Sequence, residues 1–324
     1  MTKTLRPALL LTTLALATSA HAVTFTIGYQ KGGIPNILKA RGTLDAYAKQ
    51  GINFKWVLFT AGLPLLEAAN AGAVDFGGVG NAPGVFALAG GADLKYVAVT
   101  ENRSDAGEAI IIPKGSALKT VADLKGKRIG VFRGSSAHFF LYNALKQAGL
   151  GFKDVTIVPL APPDARPAFE SGTIDAWTIW DPYLTTALQG TGARVLRDHK
   201  GLGQGDSYYL SPSAVLKDPE KKKALQILLA ELERTSTWAN ANKNAVITQF
   251  SDELGIPKSV LEVTVPKSVP FNIRPFRASD LKPLTALANA FTEVGVLPGK
   301  VSLSAQSYVA LPAFKTVLGK LETK

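Results

Sequence analysis

The stretch Arg128–His138, RIGVFRGSSAH, decides how the chain is read. Arg128 to Phe132 alternates and is apolar enough for a short strand. Gly134-Ser135-Ser136 follows as a tight turn, and FFLYNALKQAGL then reads as an amphipathic helix ending at Gly149. A helix start leaves its first backbone N–H groups without intrahelical partners, and the helix dipole adds partial positive charge there. Small residues let an anion approach those groups closely. Gly134, Ser135 and Ser136 are therefore read as half of an anion-binding site, with His138 beside them in the first helical turn.

Working outward, the same grammar recurs. Val23–Tyr29 alternates as a first strand, Gln30 to Pro35 is a Gly-rich turn, and Asn36–Gln50 reads as a helix. Asn53–Phe59 is a strand, Gly62–Ala71 a helix and Ala73–Gly78 a short strand. The turn Gly80-Asn81-Ala82-Pro83 opens a helix over Gly84–Ala89, and Leu94–Thr100 is a further strand. Strands alternating with helices of this length predict a mostly parallel sheet. Gly28 in IGYQKGG has its counterpart 102 positions on, at Gly130 in IGVFRGS. AGAVD, ending at Asp75, has its counterpart in SGTID, ending at Asp175. Two matches in one order at nearly one offset predict two α/β lobes of related topology.

The proline-broken apolar runs Ala109–Pro113 and Tyr208–Ser213 are expected to be the crossings between the lobes. The lobes are then residues 23–108 with 211–324, and 109–210. Asp218–Asn242, Asn244–Leu254 and Ser279–Val294 read as a helical cover for the first lobe, and Pro266–Pro275 as irregular chain.

In open α/β sheets, ligands bind beyond the carboxyl ends of the strands. Three turns occupy that place: Gln30 to Gly33, Gly80 to Ala82, and Gly134 to Ser136. Each offers free amides without needing a charged side chain. Side chains alternate along the strand IDAWTIWDPY, so Trp177 and Trp180 point to opposite faces; Trp177 is the better core candidate, and Trp180, at the carboxyl end, is either a cleft residue or core. Asp181 is either a helix cap or a ligand contact. Ser135 or Ser136 with His138 invites comparison with a hydrolase. Yet no G-x-S-x-G elbow is present, and residues two or three apart at a helix start are poorly placed for a base to reach the hydroxyl. The chain is read as a binding protein with no catalytic residues.

Composition bounds the setting. The chain has 324 residues, a formal net charge of +11 and no cysteine. Lys3 and Arg6 precede the apolar run Ala8–Ala17 and the A-x-A site Ala20-His21-Ala22. This is a signal peptide over residues 1–22, cleaved after Ala22. No later run is long enough to span a bilayer. Without cysteine there is no lipid-anchor site, disulfide or zinc–thiolate centre, and the mature chain is expected free in a periplasm. No basic cluster with interleaved aromatics suggests nucleic acid; the positive field suits small anions. The two histidines left after cleavage, His138 and His199, and scattered carboxylates form no metal-ligand set, and no cofactor is expected.

These motifs add up to a resemblance. IGYQKG at Ile27, AGGADLKYV at Ala89, TVADLKGKR at Thr120, GSSAH at Gly134, ALKQAGL at Ala144, PPDARPAF at Pro162 and DAWTIWDPY at Asp175 make the chain similar to the periplasmic aliphatic-sulfonate-binding proteins of ABC importers. These lie within the nitrate/sulfonate/taurine group, and the likeness covers essentially the whole chain. The resemblance implies a type II periplasmic binding fold, two α/β lobes closing on one ligand. It implies a monomer that delivers its ligand to an inner-membrane ABC permease for sulfur uptake. It places a sulfonate near Gln30, the Gly80-Asn81 turn, the Ser135-Ser136 turn and Trp180, to which the turns themselves add Gly33, Gly134, His138 and Asp181 as candidates. Asn81 departs from the aspartate of many relatives, which leaves the ligand open among alkanesulfonates, taurine, nitrate, and aromatic sulfonates or sulfate esters. Enzymes of pyrimidine-precursor synthesis share the fold but carry a cysteine-rich segment that is missing here.

Overall fold

The computed structural model describes residues 22–101, 107–202, 205–312 and 314. The expected signal peptide, except Ala22, lies outside them. The first unit runs β1 (Val23–Tyr29), α1 (Ile34–Arg41), β2 (Ile52–Leu58), α2 (Gly62–Asn70), β3 (Phe76–Val79), α3 (Asn81–Ala89) and β4 (Leu94–Glu101). The second runs β5 (Glu108–Ile112), β6 (Arg128–Val131), α4 (Ser136–Gln147), β7 (Thr156–Pro159), α5 (Pro162–Glu170), β8 (Ala176–Trp180), α6 (Tyr183–Thr191) and β9 (Arg194–Asp198). The chain then returns through β10 (Ser207–Pro212) and α7 (Ser213–Lys217). It ends in α8 (Pro219–Ala241), α9 (Lys243–Leu254), α10 (Lys258–Ser268), β11 (Asn272–Pro275) and α11 (Leu281–Glu293).

Two sheets result, ordered β11-β4-β10-β3-β1-β2 and β7-β6-β8-β5-β9. The internal repeat appears as matching strand orders: β2-β1-β3-β10-β4 in one sheet parallels β7-β6-β8-β5-β9 in the other. β1 pairs in parallel with β2 and β3, as β6 does with β7 and β8. The interior antiparallel strand of each sheet, β10 or β5, is the one arriving from the other sheet, and the first sheet adds a second antiparallel strand, β11, at its edge.

The two runs expected as crossings are therefore interior strands. Glu108 already belongs to the second sheet and Ser207 to the first, so the passages fall a few residues earlier than the expected boundaries. Both runs are apolar because they are buried between neighbours, and that burial imitates a stiff connector in sequence.

Each sheet is covered on both faces. In the first, Phe25 and Ile27 pack with Ile37, Leu38 and the α8 leucines on one side. Leu65, Val85, Tyr96 and Phe291 fill the other. In the second, α4 supplies Phe140 and Leu141, while Phe169, Trp177 and Leu184 fill the opposite face. A fully buried side chain of this size contributes about 1.5–3 kcal/mol. The helices after residue 218 cover the first sheet as expected, α8 against α1 and β1, and α11 against α3.

Three elements differ from expectation. The helix expected over 36–50 breaks at Gly42, whose φ of 63° is left-handed, and continues as 3-10 turns. α3 starts at Asn81 rather than Gly84, because Pro83 falls in the first turn, where no N–H is required. Pro266–Pro275 is not irregular: Pro266 lies inside α10, and Asn272–Pro275 is the edge strand β11 on β4. An edge position tolerates proline.

Candidate functional site: an interlobe cleft

A cavity of about 250 Å³ lies between the sheets, at the carboxyl ends of β1, β3, β6 and β8. Gln30 and Gly33 line it after β1, Gly80 and Asn81 after β3, Ser135 and Ser136 after β6, Trp180 at the end of β8 and Asp181 just beyond it. Eight of the ten residues expected at the site thus share one cavity. The first amides of α1, α3 and α4 are the orphan donors of their helices. Gln30 Nε2 donates to the Gly78 carbonyl at 3.0 Å and ties the turn after β1 to strand β3. The lobes meet closely here: a Cβ on Gly80 would lie 3.0 Å from the Ser136 Cβ and Oγ.

Gly134 and His138 do not line the cavity. Gly134 sits against Phe86 and Leu63, and its N–H points at His138 Nδ1, 3.4 Å away. His138 is buried between the rings of Phe152 and Phe291, each 5.0 Å away. Burial, with the Arg133 charge second, pushes its pKa down to about 4. A neutral imidazole turned from the cleft is a packing residue where α4 meets α11. The reason is rotational: residues two apart on a helix cannot face one direction.

The two serines also divide. Ser135 spends its hydroxyl on its own turn, donating to the Phe132 carbonyl at 2.6 Å and accepting from the His138 amide at 3.2 Å. It is the helix cap. Ser136 directs its hydroxyl to a residue that sequence reasoning missed, donating to Glu108. Glu108 opens β5 opposite Trp180, and its second oxygen lies 3.5 Å from His199 Nε2. Burial pushes the Glu108 carboxyl above the usual carboxylate range, opposed by His199 and by the Ser136 hydrogen bond. The available signal was an acidic residue heading a buried apolar strand, EAIIIP.

Asp181 caps. One oxygen accepts from the Thr185 amide at 2.9 Å and hydroxyl at 2.6 Å; the other is buried without a partner. Burial raises its carboxyl, against the Thr185 bonds. The Asn81 side-chain oxygen is likewise buried and unpartnered. Trp180 is half-buried at the cleft with Tyr183 edge-on at 6.1 Å, whereas Trp177 is core. Lys31, Asp206, Tyr209 and Phe271 complete much of the remaining wall. Among the described residues no group of three His, Asp or Glu side chains is placed to hold a metal. Among them, too, no helix is long and apolar enough to cross a membrane.

Residues 44–226 match the family model described as NMT1/THI5 like. The chain is 38% identical over 292 residues to the aliphatic sulfonates-binding protein of Escherichia coli (strain K12), covering 90% of each. Among solved structures it is similar to the alkanesulfonate-binding protein SsuA of Xanthomonas axonopodis pv. citri bound to MOPS. There the TM-score is 0.79 at 36% identity, over 86% of this chain and 95% of that one. The desulfurization enzyme DSZB shares the fold alone, with a TM-score of 0.63 at 18% identity over 92% of this chain and 99% of that one. The starts of α1, α3 and α4 line one interlobe cleft in the type II periplasmic binding fold, and the chain belongs to the family of aliphatic-sulfonate-binding proteins of ABC importers.

Proposed function

We propose that the cleft holds the sulfonate group of an aliphatic sulfonate, and that the exported protein delivers it from the periplasm to an ABC permease in the inner membrane. One observation carries this reading: the starts of α1, α3 and α4, from both lobes, open on a single cavity walled by Trp180. A sulfonate is anionic at any physiological pH and needs several donors more than a counter-charge. Hydrogen bonds to a charged group contribute roughly 1.5–3 kcal/mol each. Two or three of these plus an apolar tail on Trp180 suffice for micromolar binding, about −8 kcal/mol. Contacts to both lobes bias the protein toward the closed form, which the permease then recognises.

Support for binding rather than catalysis comes from Ser136, whose hydroxyl donates to a carboxylate instead of an imidazole, and from His138, which is packed elsewhere. As a monomer the protein keeps both lobe faces free for the permease. The deciding experiment is a thermal-shift and calorimetry panel on ligand-stripped protein: alkanesulfonates of increasing length, taurine, an aromatic sulfonate, a sulfate ester and nitrate. Stabilisation that grows with alkyl length supports the assignment. Stabilisation by nitrate or taurine with none by alkanesulfonates sinks it.

A further inference from the structure

A cleft suited to a strong-acid anion contains a buried carboxylate. The Glu108 side chain is 15% exposed, lines the cavity, and is held by Ser136 on one oxygen and faced by His199 on the other. Glu108 heads the strand entered from the first passage, and His199 follows β9 at the start of the second. Both therefore sit where the lobes are joined. The Phe140 ring of α4 packs on His199, 5.2 Å between centroids. Among the described residues, the other charged groups lining the cavity are Lys31, Asp181 and Asp206. Three carboxyl groups thus share this wall with one lysine. The Ser136 hydroxyl nearest the free amides of α4 is engaged by Glu108 and cannot donate to a ligand at the same time.

Like charges in a site shielded from water disfavour the ionised form of a titratable group. A sulfonate cannot relieve the conflict by taking a proton itself, because it is a strong acid. The proton has to go to the protein.

Resting on the reading of the cleft as an anion site, we propose that Glu108 is a specificity-determining residue: an anion enters only as the Glu108 carboxylate takes up one proton, which releases Ser136 Oγ from Glu108 to the anion. The balance is simple. One anion and one proton enter together, and no covalent bond changes. The site then selects strong-acid monoanions. A dianion such as sulfate brings a second negative charge that the single proton leaves uncompensated. Burial already moves Glu108 toward its protonated form.

Calorimetry tests this with pentanesulfonate at pH 6.5 to 8.5, in Tris and in imidazole, since many common buffers are themselves sulfonates. The difference in binding heat between buffers gives the protons taken up. The wild type is expected to take up as much as one proton per ligand and to lose up to tenfold in affinity per pH unit at the alkaline end. Glu108→Gln, nearly isosteric, is expected to bind without proton uptake, at an affinity independent of pH, and tenfold or more tighter than wild type at pH 8.5. Binding with no proton uptake by the wild type overturns the proposal by itself, whether or not the variant folds. So does unchanged uptake in Glu108→Gln, or equal affinity for sulfate and pentanesulfonate at pH 8. Failure of the wild type to bind any sulfonate at any pH overturns the proposed function and this inference with it.

Discussion

Asp75 and Asp175 make the same clasp, one in each sheet. The Asp75 amide donates to the Thr26 carbonyl and the Thr26 amide donates back to the Asp75 carboxylate, both at 2.8 Å. Asp175 repeats this with Arg128, again at 2.8 Å for both bonds. These are the aspartates of the repeated AGAVD and SGTID strings. Each clasp fixes β3 on β1, or β8 on β6, in a register that sets the following turns side by side. The repeated motif is therefore structural, and the site depends on it through register.

The two clasps differ in burial, which predicts their relative cost. The Asp75 side chain is 7% exposed and also pairs with Lys221 at 2.7 Å; that of Asp175 is 31% exposed. Asp75→Ala leaves the Thr26 amide and Lys221 without their partner, at a cost of about 1–3 kcal/mol. Asp175→Ala should cost less, because water reaches the vacated donors. Asp75→Asn keeps an acceptor and should be milder than Asp75→Ala. Urea-denaturation midpoints of the three variants check the order.

His138 predicts a pH dependence of stability. Its folded pKa, about 4, lies below the ordinary histidine value of 6.5. Between those values the unfolded chain binds a proton that the folded chain does not, so stability falls as pH drops through this window. The contribution is fully present above pH 6.5, and its loss amounts to roughly 3 kcal/mol by pH 4. His138→Phe should remove that part of the slope while retaining the ring stack with Phe152 and Phe291. Equal slopes between pH 7 and pH 4.5 in the two proteins would contradict the assignment.

The two tryptophans of one strand should separate stability from binding. Trp177 is buried against Phe169 at 5.9 Å, and Trp177→Ala should cost about 3–5 kcal/mol. Trp180 is half-buried at the cleft, and Trp180→Ala should weaken ligand binding tenfold or more at a smaller cost in stability. Thermal melts with and without pentanesulfonate distinguish the two effects.

Gly80→Ala probes closure. The backbone at Gly80, φ −69°, accepts any residue, but the added methyl would meet Ser136 of the opposite lobe. The variant should melt close to wild type when empty and bind sulfonate at least tenfold more weakly. A calorimetric affinity equal to wild type would show that the turns do not come this close in the bound form.

Much of the architecture was legible because it is written locally. The alternation of Val23–Tyr29, the capping residues, and the order of strand, Gly-rich turn and helix each depend on neighbours within a few positions. The repeat announced two sheets of matching strand order for the same reason. Local reading failed where a segment's partner is distant. EAIIIP and YYLSPS look alike whether they cross between lobes or lie buried in a sheet, and only the strands on either side decide. Near proline, local rules also set the bounds of α3 too late and hid β11 altogether.

The sequence by itself determined that anion-accepting helix starts follow β1, β3 and β6, since orphan amides and small residues are properties of a turn. Only the tertiary structure decided which side chains those turns present. Rotation about the α4 axis sends His138 into the contact with α11 and Ser136 into the cleft, while Ser135 is consumed as a cap. The packing of β5 against β8 sets Glu108 opposite Trp180, 72 positions away in sequence, at the mouth of the same cavity. Charge and hydrogen bonding fall off over a few ångströms, so a site is decided by spatial neighbours, and those are fixed by the packing of the whole chain.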